Sequence, residues 1–331
     1  MDPLTQGLLG ASFGQALYGR ALGRRALVGG ALVGMSPDLD VVANAVGPMA
    51  EWLWHRGPTH ALWLGPVAGP AIGWLLWKRK GGRLRDWVGL CVVALFTHPL
   101  LDAFTTYGTQ LFWPFSRQRF AFDAVAIVDP VYSLILALAL VTGLRWGAST
   151  TLAHRAAWTA LALSSAYVGL GLAANARAEA LARRQLAAEG VAGARVAAYP
   201  TLLQLPFRRV VARRGDEVRV GWLSVLAPRP IAWERFVAAH GPLVEAARQT
   251  PEVRLLEWFA MGEATPRVEK AGAVVEFDDL RYGFPGRPRD GLWGVRVWLD
   301  PAGRPLGPGE RFHRDLPTSA SELAAPQRPS P

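Results

Sequence analysis

The feature that most constrains this chain is a series of apolar stretches in its first half, each near the length of a bilayer-crossing helix. A helix needs about 20 apolar residues to cross the hydrocarbon core. The stretches lie at residues 4–17, 26–46, 61–77, 87–105, 127–144 and 156–174. Of the 331 residues, 51% are hydrophobic and 19% are charged, a balance too apolar for an ordinary soluble protein. The sequence therefore predicts a mostly α fold that begins with a polytopic helical bundle in a membrane.

The last four stretches are the firmer spans, because the first two carry polar residues. Gln6 and Gln15 lie in the first stretch, which is also short. The segment Ser36-Pro37-Asp38-Leu39-Asp40 interrupts the second stretch, and a lipid-facing helix would not tolerate it. We expect these two stretches to be partly re-entrant or shielded by the others. Ser36 and Pro37 are suited to start a new helix, as its N-cap and its first residue.

The hydrophobic pattern changes after residue 176. A helical stretch rich in Ala and Arg continues to about Ala188, and alternating segments typical of strands follow at residues 210–213, 218–226, 273–277 and 293–299. Residues 234–248 are predicted to form a helix. The sequence thus predicts a membrane domain at 1–176, a small α+β or mostly-β soluble domain at 177–300, and a disordered tail at 301–331 that is rich in Pro, Gly and Ser.

Basic residues cluster in short loops and predict the orientation. The net charge is +10, but the basic residues stand beside apolar runs rather than along one amphipathic face, so we expect membrane lipid and not nucleic acid as a partner. The clusters lie at residues 20–25, 78–85 and 145–155. If every stretch crosses, these loops share one side, which the positive-inside rule makes cytoplasmic. The C-terminal domain is then predicted to face the periplasm or the cell exterior. Because the first residues lack a basic region and a cleavage site, we expect membrane entry through uncleaved helices.

Ionisable residues inside apolar segments are costly, so each one calls for an explanation. They form three pairs, namely Asp38 with Asp40, His55 with His60, and His98 with Asp102. All six fall toward the predicted non-cytoplasmic side. His98 and Asp102 are four residues apart, which puts both on one face of a helix and lets them bind one ion. The Gly57-Pro58 turn separates the other two imidazoles, so they can be oriented independently.

Three carboxylates and three imidazoles suit a divalent ion, with zinc or manganese favoured and iron also compatible. They suffice for one ion or for a two-metal centre that polarises a substrate oxygen and activates water. Arg56 is predicted to bind an anionic oxygen of the substrate, because a guanidinium binds phosphate or carboxylate through two hydrogen bonds. Thr59, Thr97 and Thr105 are candidates to orient the ligands.

The alternative interpretation of these residues is structural. A single buried His or Asp often makes a helix-packing hydrogen bond or ion pair. Six together change the balance, because Arg56 alone cannot compensate three carboxylates and a cation is the less costly solution. Asp129, which precedes Pro130, is predicted to cap a helix rather than bind an ion. His154, His240 and His313 are predicted to be surface residues.

At these residues the sequence resembles a known family. The matching segments are Met1-Asp2-Pro3-Leu4-Thr5-Gln6-Gly7, Ser36-Pro37-Asp38-Leu39-Asp40, His55-Arg56-Gly57-Pro58-Thr59-His60, His98-Pro99-Leu100-Leu101-Asp102 and Thr106-Tyr107-Gly108-Thr109. Together they resemble the YdjM-like family of membrane-bound metal-dependent hydrolases, over about the first 145 residues. The ordered set D-x-D, H-R-G-x-T-H and H-x-x-x-D is far more specific than any one motif.

The resemblance implies a bacterial or archaeal inner-membrane protein. It makes the six paired residues the motif positions, and it raises the expectation of a role for Asp129. Residues 278–283 are similar to part of the appended domain of longer members. The family supplies no substrate.

Two classes of function fit these predictions. The first is a hydrolase that cleaves an ester or phosphoester of a lipid or lipid-linked molecule, with catalytic roles for Asp40, His60 and Arg56. The second is a non-catalytic structural or transport protein that binds a metal ion. A hydrolase keeps an open metal position whereas a structural site is closed, and a transporter needs a polar path to both faces. The near absence of polar residues from the cytoplasmic halves of the helices favours the enzyme.

Overall fold

The structure is a computed structural model that describes residues 1–201, 204–270 and 273–314. Two compact units divide these residues. The helical unit comprises Met1–Val46 and Trp54–Ala173, and the sheet unit comprises Gly47–Leu53, Ala174–Thr201 and the described residues from 205 onward. The order of elements confirms the prediction of a helical first half followed by a small domain that contains strands.

Helices form where the sequence has long apolar stretches. Among the described residues, three segments are long and apolar enough to cross a membrane, namely Arg24–Val46, Leu84–Ala103 and Thr151–Ala188, and Pro130–Trp146 is a shorter apolar helix. The first eight α-helices are α1 (Pro3–Phe13), α2 (Gly19–Leu22), α3 (Arg24–Met35), α4 (Ala50–Trp54), α5 (Leu64–Lys80), α6 (Leu84–Ala103), α7 (Pro130–Trp146) and α8 (Thr151–Ala188). A π-helical segment, Gly14–Tyr18, follows α1, and 3-10 helices occupy Ser36–Val46 and Pro58–His60.

The second apolar stretch changes helix type at Ser36 instead of breaking. The Ser36 hydroxyl donates to the carbonyl oxygen of Val33 at 2.8 Å, inside the end of α3. It therefore does not act as the N-cap that the sequence predicts for a new helix. Pro37 follows directly, and the chain tightens into the 3-10 helix Ser36–Val46. A 3-10 run of this length is uncommon, since most extend only three or four residues.

Small residues let neighbouring helices of the helical unit approach closely. A Cβ added at Gly30 of α3 would overlap the carbonyl oxygen of Gly10 on α1. A Cβ added at Gly69 of α5 would lie 2.7 Å from the Val92 side chain of α6. Gly30 and Gly34 are four residues apart on α3. Small residues at this spacing are typical of helix pairs in membranes. Close packing of the backbones stabilises such pairs, because the hydrophobic effect does not drive helices together in lipid.

The Asp129 carboxylate caps α7, as the sequence predicts. Its Oδ1 accepts the backbone N–H groups of Val131 and Tyr132, both at 3.1 Å. Tyr167 of α8 donates its hydroxyl proton to Oδ2 at 2.9 Å. Both carboxylate oxygens of Asp129 therefore accept hydrogen bonds from protein groups. This is the helix-capping role that the sequence predicts for Asp129, rather than metal binding.

The sheet unit contains two four-stranded sheets within the described residues, in the orders β1-β2-β3-β4 and β5-β6-β7-β8. The strands are β1 (Arg195–Thr201), β2 (Gln204–Arg214), β3 (Glu217–Ser224), β4 (Glu234–Val237), β5 (Ala264–Glu269), β6 (Val274–Asp279), β7 (Trp293–Trp298) and β8 (Glu310–His313). Two short helices, α9 (Pro242–Arg248) and α10 (Pro251–Phe259), separate the sheets in sequence. The C-terminal part of α8 packs on the first sheet, where Ala182 and Leu186 share a buried cluster with Val210.

The segment at residues 278–283 supplies a buried ion pair to the sheet unit. Arg281 Nη2 donates to Asp279 Oδ2 at 2.7 Å and Arg281 Nε donates to Oδ1 at 2.9 Å. The indole of Trp293 donates to the same carboxylate at 3.0 Å. Asp279 is fully buried, so this paired carboxylate belongs to the core of its unit.

Two sequence predictions for the second half are wrong in part. Residues 234–248, predicted as one helix, form the strand β4 and the helix α9. Gly241 has φ 108° and Pro242 starts α9, so no continuous helix passes this point, and β4 pairs with β3 instead. The tail predicted as disordered from residue 301 includes the strand β8. Its residues 315–331 lie outside the described part of the chain.

Candidate metal centre

Four of the six predicted ligand side chains bring one donor atom each to a common point in the helical unit. They are Asp38, His60, His98 and Asp102, and their donor atoms all lie within 4.8 Å of one another. His60 Nε2 is 2.9 Å from His98 Nε2, 3.1 Å from Asp102 Oδ2 and 3.4 Å from Asp38 Oδ1. His98 Nε2 is 3.5 Å from Asp38 Oδ1 and 3.6 Å from Asp102 Oδ2. Tetrahedral ligands with bonds near 2.0–2.1 Å stand about 3.3–3.4 Å apart, so this four-donor group has the size of a single metal site.

Three separate elements supply the four-donor group. His98 and Asp102 lie on α6, and their four-residue spacing puts both on one face of the helix, as predicted. Asp38 is the third residue of the 3-10 helix Ser36–Val46. His60 ends the short 3-10 helix Pro58–His60, which begins at a proline after Gly57. The site therefore forms only when the chain folds over a separation of more than 60 residues.

Hydrogen bonds turn a lone pair of each imidazole toward the common point. His98 Nδ1 lies 2.6 Å from the carbonyl oxygen of Gly34, an acceptor, so Nδ1 carries the proton. His60 Nδ1 lies 2.9 Å from Thr59 Oγ1 and 3.3 Å from Asp40 Oδ2. Thr59 itself donates to Asp40 Oδ2 at 2.6 Å, so its oxygen accepts from His60. In the neutral tautomers both Nε2 atoms are then unprotonated, and they face two carboxylate oxygens.

Burial makes this convergence unfavourable without a cation. His60, His98 and Asp102 are at most 1% exposed, and Asp38 is 7% exposed. Within the described residues, Asp38 Oδ2 and Asp102 Oδ2 accept no hydrogen bond. Buried carboxylates that lack such partners are costly unless an opposite charge compensates them. The donor set therefore fits a divalent ion, which carboxylate and imidazole ligands both suit.

The electrostatics at His60, which lies between the candidate spans, point the same way. Burial lowers the pKa of its imidazole, but hydrogen bonds to the carboxylates of Asp102, Asp38 and Asp40 outweigh burial and raise it to about 10. These carboxylates thus favour positive charge at this position. A proton or a metal ion would supply this charge, beside those of Arg56 and the Met1 α-amino group that already face Asp102.

The carboxylate of Asp102 is also held by groups from two other segments. Gln6 Nε2 donates to Asp102 Oδ1 at 2.8 Å, and the α-amino group of Met1 also donates to Oδ1. Arg56 Nε forms an ion pair with Oδ2 at 3.3 Å. Gln6 and Met1 orient the carboxylate through Oδ1, while Oδ2 faces both Arg56 and the two imidazoles.

Arg56 is enclosed by protein groups. It is 2% exposed, and its Nη1 donates to Thr105 Oγ1 at 2.8 Å while its guanidinium carbon lies 4.8 Å from the centre of the Tyr107 ring. Its backbone has φ 60°, a left-handed conformation that costs a non-glycine residue roughly 1 kcal/mol. This turn directs the side chain to Asp102 and the backbone N–H to Asp40. The substrate-binding role of Arg56 stays a prediction.

Asp40 and His55, the other two predicted ligands, lie one layer outside the four-donor group. His55 Nδ1 is 2.6 Å from Asp40 Oδ1. Asp40 Oδ2 accepts the Thr59 hydroxyl and the backbone N–H of Arg56, and it lies beside His60 Nδ1. Asp40 therefore connects a donor of the group to His55.

The predicted supporting threonines have different places. Thr59 and Thr105 contact the site, as described above. Thr97 donates to the carbonyl oxygen of Val93 at 2.8 Å, within α6. His154, His240 and His313 lie outside the four-donor group, and His240 and His313 are exposed, as predicted.

Sequence reasoning assigned no role to four contributors to the site. The Met1 α-amino group and Gln6 orient Asp102, and the carbonyl of Gly34 orients His98. The Tyr107 ring contacts the guanidinium groups of Arg56 and Arg119, whose central carbons lie 4.8 and 5.3 Å from its centre. Gln6 had a usable signal, because a glutamine inside a short apolar stretch calls for a buried partner. A backbone carbonyl leaves no such signal in the sequence.

The comparisons with known proteins bear on this region. A family model described as YdjM inner membrane protein matches residues 1–178, more than half of the 331-residue chain. No curated protein matches the chain, and no solved structure matches it. The matched region contains the whole four-donor group.

Proposed function

The chain belongs to the YdjM inner membrane protein family, and from that premise we propose that it is a membrane-bound metal-dependent hydrolase. The observation that carries the proposal is the convergence of four buried donor atoms at distances of 2.9–3.6 Å between the measured pairs. Such a group is costly to form unless it binds a cation. A cation held by carboxylates and imidazoles could polarise a substrate oxygen and activate water, which are the two requirements of metal-dependent hydrolysis.

The residues that would hold the ion are Asp38, His60, His98 and Asp102. The four donors are enough to complete one tetrahedral ion, so we propose one ion per chain. Zinc and manganese both accept this mixture of oxygen and nitrogen donors. When bound, such an ion supplies Lewis acidity, which polarises a carbonyl or phosphoryl oxygen and makes water more acidic.

The proposed substrate is an ester or phosphoester of a lipid or lipid-linked molecule. Asp38 lies in the candidate span Arg24–Val46, and His98 and Asp102 lie in the candidate span Leu84–Ala103. A site built on two such spans is most directly reached by a molecule that is itself in the bilayer. Arg56 would support catalysis by holding Asp102, and it reaches a substrate anion only if that ion pair opens.

A structural metal site is the second candidate function. The observation that favours it is that four protein donors are enough to complete a tetrahedral ion, and structural zinc sites are closed in this way. The two candidates differ in whether the ion keeps a position for water. A measurement of hydrolytic activity distinguishes the two candidates, whereas a measurement of metal content does not, because both bind an ion.

We expect purified protein in mild detergent to hydrolyse at least one member of a panel of p-nitrophenyl esters, p-nitrophenyl phosphate and phospholipids. Because the ion would polarise the scissile group, activity should disappear with a chelator and return with added zinc or manganese. Release of p-nitrophenol or of lipid products by mass spectrometry measures turnover. A folded, metal-loaded protein that leaves the whole panel intact would favour the structural candidate.

We further propose that the helical unit crosses the inner membrane several times, with the basic loops in the cytoplasm. Arg25 Nη1 donates to the carbonyl oxygen of Lys80 at 2.7 Å, and Arg24 Nη2 donates to that of Leu144 at 2.6 Å. These contacts support a common side for the ends of α3, α5 and α7. Under the positive-inside rule that side is cytoplasmic, and the sheet unit is periplasmic.

Reporter fusions test this orientation. A fusion after Arg184 should be active as periplasmic alkaline phosphatase and dark as a cytoplasmic fluorescent protein. A fusion between Gly81 and Gly82, in the basic loop, is the matched control and should behave in the opposite way. The reverse pattern at both sites would place the sheet unit in the cytoplasm.

A further inference from the structure

The Asp40–His55 pair beside the four-donor group has the geometry of a base held by a carboxylate. His55 Nδ1 donates to Asp40 Oδ1 at 2.6 Å. Two further donors fix the carboxylate, namely Thr59 Oγ1 at 2.6 Å and the backbone N–H of Arg56 at 3.2 Å, both on Oδ2. These two contacts on Oδ2 hold the Asp40 carboxylate in place, so that its Oδ1 is directed at His55.

The environment of His55 differs from that of the two donor imidazoles. The His55 side chain is 18% exposed, whereas those of His60 and His98 are 0% exposed. Its ring stands edge-on to Tyr107 with ring centres 5.4 Å apart and edge-on to His60 at 5.7 Å. Among the imidazoles of the site, His55 is thus the one with surface that a small molecule can reach.

The hydrogen bond to Asp40 decides which nitrogen of His55 can react. Since Nδ1 donates to the carboxylate, the neutral ring carries its lone pair on Nε2. A histidine with one nitrogen held by a carboxylate and the other available is the arrangement that general bases use in hydrolases. His55 does not belong to the four-donor group, and its Nδ1 is held by Asp40, so Nε2 is the nitrogen left to act.

We propose that His55 is the catalytic proton-transfer residue of this site and that Asp40 is its positioning residue, an inference that rests on the proposed hydrolase function. As the oxygen of water bonds to the carbonyl carbon or phosphorus of the substrate, His55 Nε2 takes a proton from that water. When the ester bond breaks, the same proton goes to the departing alkoxide oxygen. The products are an acid and an alcohol, and His55 returns to its neutral form. Asp40 stabilises the imidazolium in between and keeps its charge throughout.

A matched pair of variants separates this role from metal binding. His55→Ala and His60→Ala make the same chemical change in one short loop. We expect His55→Ala to keep the metal content of the unchanged protein, and His60→Ala to lose most of it, by elemental analysis. His55→Gln, which can still donate to Asp40, guards against a folding defect in the first variant. Loss of metal from both His55 variants would make His55 a ligand and overturn the inference.

Chemical modification tests the available nitrogen without needing a substrate. Diethyl pyrocarbonate acylates accessible unprotonated imidazoles, and mass spectrometry of peptides locates the product. In metal-loaded protein we expect modification at His55 and none at His60 or His98. An unmodified His55 beside a modified His240, which is exposed, would also overturn the inference.

Turnover then distinguishes this inference from the proposed function. On an ester that the unchanged protein cleaves, His55→Ala should lower kcat by about 10²–10⁴-fold with metal retained. Added imidazole should restore part of that loss, which a merely structural role would not allow. Full activity in His55→Ala contradicts the role of His55, whereas an unchanged, metal-loaded protein that cleaves nothing contradicts the hydrolase proposal itself.

Discussion

Replacing His98 by alanine is expected to weaken the binding of a metal ion at the four-donor group while the helices stay folded. His98 supplies one of the four donors, and in its neutral tautomer with the proton on Nδ1 it carries no charge of its own, so the substitution itself removes no counter-charge. Loss of an outer hydrogen-bond partner of a metal ligand typically costs about 10–100-fold in affinity. Loss of a ligand should therefore cost at least about 100-fold. Competition with a chelator of known affinity measures the change.

Two further variants serve as a control and as an intermediate case for this experiment. His154→Ala makes the same change on α8, away from the four-donor group, and should leave the affinity as it is. Asp40→Asn removes the charge beside His60 Nδ1 without removing a donor, so its effect should fall between the two, at about 10–100-fold. The metal proposal is wrong if His98→Ala binds the ion as tightly as His154→Ala does.

Replacing Gly30 by leucine is expected to disrupt the packing of α1 on α3. Even the first side-chain carbon at Gly30 would overlap the carbonyl oxygen of Gly10, and backbone cannot move aside as a flexible side chain can. Overpacking typically costs about 1–3 kcal/mol and sometimes more. We expect the upper end of that range here, with a lower melting temperature and poor recovery of monodisperse protein. Metal content should fall as well, because α1 carries Gln6 and α3 carries Gly34.

Gly169→Leu is the matched control for this substitution. Gly169 lies on α8, and a Cβ added there meets nothing within 4 Å. Leucine also favours helix more than glycine does. A Gly30→Leu protein as stable as the Gly169→Leu protein would show that α1 and α3 do not pack as the structure has them.

The helices of the first half could be predicted because a long apolar stretch in a membrane must satisfy its own backbone hydrogen bonds, which a helix does. Predictions for the second half depended on local patterns and were less complete. Alternation found β2, β3, β6 and β7, but residues 234–248 were assigned to one helix although Gly241-Pro242 breaks them. Here the turn chemistry of two residues outweighed the helix propensity of their neighbours.

The membership of the site could be predicted in part, and its layering could not. The four-residue spacing on α6 was sufficient to place His98 with Asp102. Asp38 and Asp40 take different layers because positions two apart point in different directions on a 3-10 helix, as they also do on an α-helix. His55 and His60 are separated by the left-handed backbone of Arg56, at φ 60°. Neither the 3-10 run nor that dihedral is visible in the residue pattern.

The helix geometry also sets the depth of the site in the proposed topology. His98 lies 14 residues after Leu84, which is about 21 Å along α6. Asp38 lies at a similar height, about 22 Å from the start of α3, when the longer rise of the 3-10 segment is included. The contact between Arg25 and Lys80 keeps the start of α3 close to the end of α5, four residues before α6 begins at Leu84.

A hydrocarbon core is about 30 Å thick, so the donors would stand roughly 10 Å below its far surface. Hydrolysis at this depth requires the scissile bond and a water molecule to pass below the head groups. A thinner bilayer brings the head groups closer to the four-donor group, and a thicker one moves them away, because helix length does not adjust. In the proposed topology, membrane thickness would therefore control the access of a substrate to this site.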